Sequence, residues 1–311
     1  MDKEFGLTDA SVIKQQNELA CLIDEHVTED GVHPTVIPRV SLIRISQPTE
    51  PLHVLHEPAL CIVAQGKKQV LLGDEVYLYN RDQYLIVSVD LPVIGQIIEA
   101  EPETPYLCFR LDLDAATLGE LMIEAGLGAP TGEPSSSGLT LSPAAPEVLD
   151  AVIRLLRLLK APRDVNVLAP LVEREILYRL LTGDRAQKLR QIAHADSKLQ
   201  RVNRAISWIK ENYREPFRVE TIASEARMSA SALHQHFKIV TSMSPLQYQK
   251  QLRLQEARRL ILGASLDAAT VGFSVGYGSP SQFSREYSRF FGAPPLRDTI
   301  RLKALHMQQE A

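Results

Sequence analysis

The chain of 311 residues is too long for one typical hydrophobic core, and 45% hydrophobic with 23% charged residues is an ordinary composition for a folded protein. No run of about 18 apolar residues occurs, so no membrane span is expected, and the segment MDKEFGLTDA lacks the apolar region of a secretory signal. Cys21, Cys61 and Cys108 are odd in number and form no C-x-x-C pair, which favours a reduced compartment and predicts a cytoplasmic protein.

Charge is distributed unevenly along the chain. Residues 197–311 hold 17 Lys and Arg against 9 Asp and Glu, a net charge of +8, whereas residues 1–196 hold 17 against 29, a net charge of −12. This asymmetry is typical of a protein in which only one part meets phosphates. The alternative is that surface charge varies by chance.

The first two-thirds of the chain change pattern from helix to strand and back. Helical spacing predicts a helix over residues 9–28. About eight short β-rich runs follow, and their close spacing favours a small barrel or sandwich over a parallel sheet. The runs are residues 35–37, 40–45, 59–64, 68–72, 75–79, 84–89, 93–98 and 106–111.

Helical patterns return after the strands. We predict helices over residues 115–125, 147–159 and 167–181, a loop over residues 126–146 and a connector over residues 187–196. The helix 167–181 has a broad apolar face, which would pack on the barrel or on a second copy of the chain. Its members are Leu168, Leu171, Ile176, Leu177 and Leu180.

The segment after residue 197 contains a helix-turn-helix pattern. A short helix over residues 219–226 and a tight turn precede Ser229, a residue type that favours a helix N-cap. The next helix would bury Leu233 and Phe237, which lie four residues apart on one face. This order is typical of a helix-turn-helix unit.

The same pattern recurs about 50 residues later. Ser279, Phe283 and Tyr287 repeat Ser229, Leu233 and Phe237 at an offset of 50, whereas the short helix over residues 268–275 aligns better at 49. The second turn therefore carries one extra residue. Such a repeat predicts two units in tandem, joined by a long basic helix over residues 245–262.

Three stretches of this region resemble a known DNA-binding domain. IASEARMSASALHQHFK, MSPLQYQKQLRLQEARRLI and VGFSVGYGSPSQFSREYSRFFGAPP are similar to the AraC/XylS family of bacterial transcription regulators. Two residues depart from the family pattern: Gly272, where Ala is usual, would loosen its helix by roughly 1 kcal/mol, and Ala232 is smaller than the residue in many members.

The stretch ALCIVAQGKKQVLLGDEVYLYNRDQYLIVSVDLPV resembles the sensor domain of one branch of that family. The two resemblances together imply an α+β protein. Residues 1–190 would form a cupin-like β-barrel with flanking helices, for effector sensing and dimerisation. Residues 197–305 would form an all-α DNA-binding domain with two helix-turn-helix units.

A recognition helix reads base edges with the outward residues near its N-terminus. The predicted outward residues are Ser231, His234, Gln235 and Lys238 in the first helix-turn-helix unit, and Pro280, Ser281, Ser284, Arg285 and, further along, Arg289 in the second. The family resemblance implies that Ser231, His234 and Gln235 meet bases. Arg285 is the best candidate for a bidentate contact to guanine. The alternatives are an ion pair with Glu286 or a phosphate contact for Arg285, and a solvent or phosphate contact for His234.

The connecting helix supplies candidate phosphate contacts. Arg253, Arg258 and Arg259 would add affinity and salt dependence without reading sequence. The alternative is a solvated helix face that pairs with Glu256.

The barrel half offers weaker signals. His53, His56 and Glu57 are metal-ligand types, but the later strands supply no partner cluster, so no metal is predicted. Cys61 and Cys108 lie in apolar strands, which favours buried inert thiols over reactive sensors. Arg44, Gln65 and Tyr84 are guesses for a pocket lining, and the ligand-binding residues stay unknown.

These patterns favour a sequence-specific transcription regulator that responds to a small effector, and not an enzyme. Expected partners are double-stranded promoter DNA, RNA polymerase, an unknown small molecule and a second copy of the chain, paired through the helix 167–181 or 147–159. No cofactor is predicted. The alternatives are a metal-dependent cupin oxygenase, which needs a His, His and carboxylate set, and an architectural DNA binder.

Overall fold

The computed structural model describes residues 10–128, 137–183, 186–194, 197–263 and 267–309, the last seven of them and Lys188 by backbone alone. The chain divides into two compact units. The first is Met1–Arg201 with Ile239–Ser242, and the second is Val202–Lys238 with Met243–Ala311.

Within its described residues, the first unit is built on ten antiparallel strands in two sheets. The strands are β1 (Gly31–Pro34), β2 (Val40–Ile45), β3 (Leu52–His56), β4 (Ala59–Gln65), β5 (Lys67–Leu72), β6 (Glu75–Tyr79), β7 (Gln83–Val87), β8 (Leu91–Glu99), β9 (Tyr106–Asp112) and β10 (Leu139–Pro143). One sheet has the order β1-β2-β9-β4-β7-β10, and the other has the order β3-β8-β5-β6. The α+β class and the small antiparallel β domain predicted from the sequence are confirmed.

Three details of the strand prediction were wrong. The run 35–37 is the turn of the β1–β2 hairpin, in which Thr35 Oγ1 accepts a hydrogen bond from the Ile37 amide and Arg39 adopts a φ of 66°. Strand β3 was missed because only His56 of its five residues is buried. Strand β10 was missed because it follows a Gly-, Pro- and Ser-rich run, and it pairs with β7. Residues 129–136 of the predicted loop lie outside the described residues.

Helices flank the sheets in the described part of the first unit. They are α1 (Ala10–His26), α2 (Ala115–Glu124), α3 (Pro146–Arg157), α4 (Pro162–Thr182) and α5 (Ala186–Ala193), with a 3-10 turn (Leu158–Lys160) between α3 and α4. The predicted connector 187–196 is thus helical over most of its described residues. The predicted apolar face of α4 is divided, since Ile176, Leu177 and Leu180 are buried whereas Leu168 and Leu171 are exposed.

The second unit is helical. Its elements are α6 (Lys198–Glu211), α7 (Val219–Glu225), α8 (Ala230–Thr241), α9 (Pro245–Gly263), α10 (Ala268–Ser274), α11 (Pro280–Phe291) and α12 (Pro295–Gln309). Helices α7 and α8 form the first helix-turn-helix unit and α10 and α11 the second, as predicted. Among the described helices, none combines the length and apolarity needed to cross a membrane.

Aromatic side chains fill the core of each helix-turn-helix unit. Phe237 packs edge-on against Tyr248 of α9 at a centroid distance of 5.4 Å, and both rings are fully buried. In the second unit Phe283 and Tyr287 pack at 5.6 Å and are 1% exposed. The predicted pairs at i and i+4 are therefore the core of both units, and they turn the opposite helix faces outward.

Candidate nucleic-acid interface

The two turns repeat the same backbone hydrogen bonds. In the first, the Arg227 amide donates to Ser224 O and the Met228 amide to Ala223 O, at 3.0 and 2.9 Å. In the second, the corresponding bonds run from Gly276 to Phe273 O and from Tyr277 to Gly272 O, both at 3.0 Å. The offset is 49 at each position, so the predicted extra residue of the second turn lies after Tyr277.

Left-handed backbone conformations recur at matching positions. In the first helix-turn-helix unit, Arg227 has a φ of 52° and Ser242 has a φ of 58°. At the corresponding positions of the second helix-turn-helix unit, Gly276 has a φ of 93° and Gly292 has a φ of 79°. The duplication therefore extends to the backbone conformation, and the second copy uses the residue type that adopts it without steric cost.

The helix N-termini differ between the units. The Ser229 hydroxyl accepts a hydrogen bond from the Ala232 amide at 3.2 Å and caps α8 as predicted. Ser279 occupies the N-cap position of α11, but its side chain makes no capping hydrogen bond. Pro280 follows it at the first helical position, where the fixed φ of proline favours a helix start without a side-chain cap.

The residues predicted to point outward from the recognition helices form two exposed faces. The α8 face consists of Ser231, His234, Gln235 and Lys238, which are all exposed. On α11, the α11 face consists of Pro280, Ser281, Ser284, Arg285 and Arg289, all exposed except the half-buried Ser284. At the offset of 50, Gln235 corresponds to Arg285 and His234 to Ser284, so the two faces present different chemistry.

Glu286 is engaged by residues other than Arg285. Its carboxylate accepts hydrogen bonds from Lys250 Nζ at 3.0 Å, Tyr277 Oη at 3.0 Å and Gln282 Nε2 at 3.2 Å. Burial raises the pKa of Glu286, but these three bonds outweigh it and hold the pKa below its usual value. Within the described residues Arg285 makes no ion pair, so its guanidinium is available to a ligand.

Arg253 does not face outward as a phosphate contact would. Its guanidinium donates to four backbone carbonyl oxygens, those of Tyr213 at 2.6 Å, Gly276 at 2.8 Å, Glu215 at 2.8 Å and Arg214 at 3.1 Å. An arginine has five N–H donors, so little hydrogen-bonding capacity is left for phosphate. The physical reason is that Arg253 joins the turn after α6 to the turn of the second unit.

Arg258 is also occupied within the fold. It forms a bidentate pair with Asp298 at 2.8 and 3.0 Å, and Asp298, which is fully buried, also accepts a hydrogen bond from Tyr287 Oη at 2.8 Å. This geometry favours a structural role over the predicted phosphate contact. Arg259 pairs with Glu256, as the alternative interpretation had it.

Packing against Phe283 explains the glycine at position 272. A Cβ added there would lie 3.0 Å from the Cγ and Cδ1 atoms of Phe283, which is tighter than ordinary contact. The first unit has Ala223 and Leu233 at the corresponding positions, a larger residue paired with a smaller one. Gly272 therefore lowers the helix propensity, as the sequence predicts, but it leaves room for the ring of Phe283.

The barrel residues singled out in the sequence do not gather at one site. Arg44 pairs with Asp24 and Asp30, and Gln65 donates to the Pro105 carbonyl. Tyr84 lies on the opposite face of its sheet from Cys61, because Cys61 is paired with the adjacent Leu85.

His53 and His56 lie on β3, at the edge of the four-stranded sheet. His56 is buried, and burial lowers its pKa to about 3, with further lowering by Lys68 and Arg110. Within the described part of the chain, no group of three or more His, Cys, Asp and Glu side chains is arranged to hold a metal ion. Cys61 and Cys108 are buried, as expected, whereas Cys21 is exposed.

Two helix-turn-helix units joined by one helix, preceded by a β-rich domain, define a DNA-binding protein with a separate N-terminal domain. A family model described as the AraC-type transcriptional regulator N-terminus matches residues 36–188, and a helix-turn-helix domain model matches residues 222–298. The chain belongs to the AraC family of transcriptional regulators.

Curated relatives agree with this assignment. The HTH-type transcriptional regulator ArgR of Pseudomonas aeruginosa is 28% identical over 144 residues, which cover 46% of this chain and 44% of that protein. The HTH-type transcriptional activator RhaS of Escherichia fergusonii is 30% identical over 145 residues, which cover 46% and 50%. The chain thus spans about half the length of the curated relatives it matches.

Among solved structures, ToxT from Vibrio cholerae O395, bound to (E)-4-(8-methylnaphthalen-1-yl)but-3-enoic acid, is similar to 80% of this chain and 92% of its own. The TM-score is 0.53 and the sequence identity is 11%, so this likeness concerns the fold alone.

Proposed function

We propose that the protein is a sequence-specific DNA-binding regulator of transcription that responds to a small effector. The observation that carries the proposal is the pair of exposed, chemically different faces on α8 and α11, presented by a duplicated backbone. In this proposal residues 197–305 bind promoter DNA, and residues 1–190 bind the effector and a second copy of the chain.

The α8 and α11 faces supply the base contacts in this proposal. Arg285 donates two hydrogen bonds to guanine, a contact that discriminates against other bases by about 1–3 kcal/mol. His234 and Gln235 read bases from the α8 face, with Ser231 and Ser281 nearby on the same helices. Lys238 and Arg289 lie further along and contact phosphates. Arg253 and Arg258 stabilise the domain instead.

Arg285→Ala tests this assignment. The variant should lose more affinity for a selected operator than for random DNA of equal length, because a base contact contributes only on the correct sequence. Arg259→Ala is the matched control, since its side chain is exposed and bonded to Glu256. Equal loss on both DNAs would make Arg285 a phosphate contact, and no loss on either would remove α11 from the interface.

The exposed apolar stripe of α4 supports dimerisation. Val167, Leu171 and Tyr178 are 67%, 61% and 45% exposed and lie at helical spacing on one side of α4. Leu171→Glu should convert a dimer to a monomer in sedimentation experiments, with Arg163→Glu as the charge control. A wild-type chain that sediments as a monomer with and without operator DNA would contradict the proposal.

In the proposed function, RNA polymerase is a further partner of the protein at the promoter. This function is favoured over an enzyme because the curated relatives are transcriptional regulators. It is favoured over an architectural binder because the two faces differ at corresponding positions. Competition between operator and unrelated DNA separates a sequence-specific regulator from an architectural binder, since an architectural binder would show no preference.

A further inference from the structure

Gln282 lies on the outward side of α11, although it is not among the residues predicted to point outward. A helix turns by about 100° per residue, so Gln282 lies about 60° around α11 from Arg285. Ser284 lies about 100° from Arg285 and is half-buried, whereas Gln282 is exposed. Gln282 is also close to the N-terminus of α11, the end that reads base edges in a helix-turn-helix unit.

The carboxylate of Glu286 determines how the side-chain amide of Gln282 is oriented. Nε2 of Gln282 donates a hydrogen bond of 3.2 Å to Oε1 of Glu286, which lies one turn further along the same helix. An ionised carboxylate only accepts hydrogen bonds, so the amide nitrogen has to face it. The amide oxygen of Gln282 therefore faces away from Glu286, since the reversed amide would bring acceptor oxygens together.

Lys250 and Tyr277 hold the Glu286 carboxylate from outside α11. Lys250 Nζ of α9 donates to Oε1 at 3.0 Å, and Tyr277 Oη, in the turn before α11, donates to Oε2 at 3.0 Å. Burial opposes ionisation of Glu286, but the hydrogen bonds from Gln282, Lys250 and Tyr277 lower its pKa, so it stays ionised at neutral pH. The partner of the Gln282 amide is thus fixed in both position and charge.

The first helix-turn-helix unit has no counterpart of this pair. At the offset of 50, Gln282 corresponds to Ala232 and Glu286 to His236, so only α11 presents an oriented amide at this position. An amide oxygen is an acceptor, and its complement in the major groove is an exocyclic amino group, N6 of adenine or N4 of cytosine. Guanine and thymine present acceptor oxygens at the same edge.

We propose that the amide oxygen of Gln282 accepts a hydrogen bond from the amino group of adenine or cytosine, and that Glu286 is a positioning residue that holds the amide in this orientation. This inference rests on the proposed DNA-binding function and adds one base to the contact assigned to Arg285. Residue type alone does not orient an amide, so the sequence did not indicate this preference.

The test is selection of bound sequences from random DNA with the full wild-type chain, Arg285→Ala and Gln282→Ala. In the block that Arg285→Ala affects, one wild-type position should favour A or C over G or T by roughly fivefold. Gln282→Ala should abolish this preference and keep the preference for guanine. If Gln282→Ala changes no position, or if the position it changes favours G or T, the inference is wrong.

Glu286→Gln separates positioning from support of the fold. The new amide donates as well as accepts, so the Gln282 amide can turn over, and the preference for A or C should fall by roughly threefold or more while other positions keep theirs. Lys250→Met is the matched control, because it removes another partner of the same carboxylate and leaves the Gln282 bond intact. Equal relaxation at every position in Glu286→Gln, or the same selective change in Lys250→Met, would overturn the positioning role.

Base analogues identify which base supplies the amino group. Purine deoxyriboside in place of a preferred adenine, or 2-pyrimidinone deoxyriboside in place of a preferred cytosine, lacks that group. The analogue should weaken binding of the wild type by roughly fivefold and leave binding of Gln282→Ala unchanged. Equal weakening of both proteins would contradict the inference, because the loss would then come from weaker base pairing.

Failure of this inference can be distinguished from failure of the proposed function. A wild-type chain that selects no sequence would reject sequence-specific DNA binding as a whole. Selected blocks that depend on Arg285 but not on Gln282 would reject the amide contact alone.

Discussion

The guanidinium of Arg253 donates a 2.8 Å hydrogen bond to the carbonyl oxygen of Gly276, the left-handed residue in the turn of the second helix-turn-helix unit. The same side chain donates to the carbonyl oxygens of Tyr213, Arg214 and Glu215, which lie between α6 and α7. One residue of α9 thus ties the segment between α6 and α7 to the turn between α10 and α11.

Replacement of Arg253 should therefore affect stability rather than phosphate contact. Arg253→Met should lower the free energy of unfolding by about 2–3 kcal/mol, since it removes charge-assisted hydrogen bonds at a half-buried position. Arg259→Met, the exposed control on the same helix, should stay within about 0.5 kcal/mol of wild type. Urea denaturation measures both.

The salt dependence of DNA binding gives a second readout for Arg253. Loss of one phosphate contact lowers the slope of log affinity against log salt by about 1. We expect the slope of Arg253→Met to equal that of the wild type. A decrease of that size would restore Arg253 to the DNA interface.

Gly276 should not tolerate a side chain. Its φ is 93°, and an added Cβ would lie 2.3 Å from the Arg214 carbonyl oxygen. Gly276→Ala should destabilise the chain by about 1–3 kcal/mol from backbone strain, with the clash in addition. Gly278→Ala is the control, since an added Cβ there meets nothing within 4 Å. Thermal unfolding of both variants checks the difference, and similar melting temperatures would show that the turn can rearrange.

The effect of Gly272→Ala should depend on Phe283. In the wild type, the gain in helix propensity of about 1 kcal/mol is offset by contact of the new methyl group with the Phe283 ring, 3.0 Å away. In a Phe283→Leu background the same substitution should be stabilising. A double-mutant cycle by urea denaturation should give a coupling of at least about 0.5 kcal/mol, and simple additivity would reject the packing explanation.

His56 should make the chain sensitive to mild acid. Burial lowers the pKa of His56 to about 3 in the folded chain, against an ordinary histidine pKa of about 6.5. Below pH 6.5 the unfolded chain binds a proton that the folded chain does not, so stability falls with pH until about pH 3. Between pH 7 and pH 5 the wild type should lose about 2 kcal/mol more than His56→Phe. Equal losses would mean that His56 becomes protonated without unfolding.

The sequence was sufficient for the helix-turn-helix units because their signals are local. The serine before each second helix and the buried pairs at i and i+4 recur within one segment. It was not sufficient for Arg253, whose partners Tyr213 and Gly276 lie 40 and 23 residues away and are backbone carbonyls, which leave no trace in residue type. An arginine between Leu252 and Leu254 was a weak signal in the sequence.

The barrel was predictable as a set of short strands but not as a set of side-chain neighbours. Lys68 and Tyr79 become neighbours through strand register, and Tyr106 approaches Tyr79 only when the second sheet packs on the first. Alternation along one strand gives the side of the sheet and not what lies across from it.

Selection of bound sequences from random DNA shows whether two different helix faces read two segments of one duplex. We expect two preferred blocks about one helical turn, or roughly 10 base pairs, apart. Arg285→Ala should relax base preference in one block and Gln235→Ala in the other. A single block, relaxation of the same positions by both variants, or no sequence preference would contradict the claim.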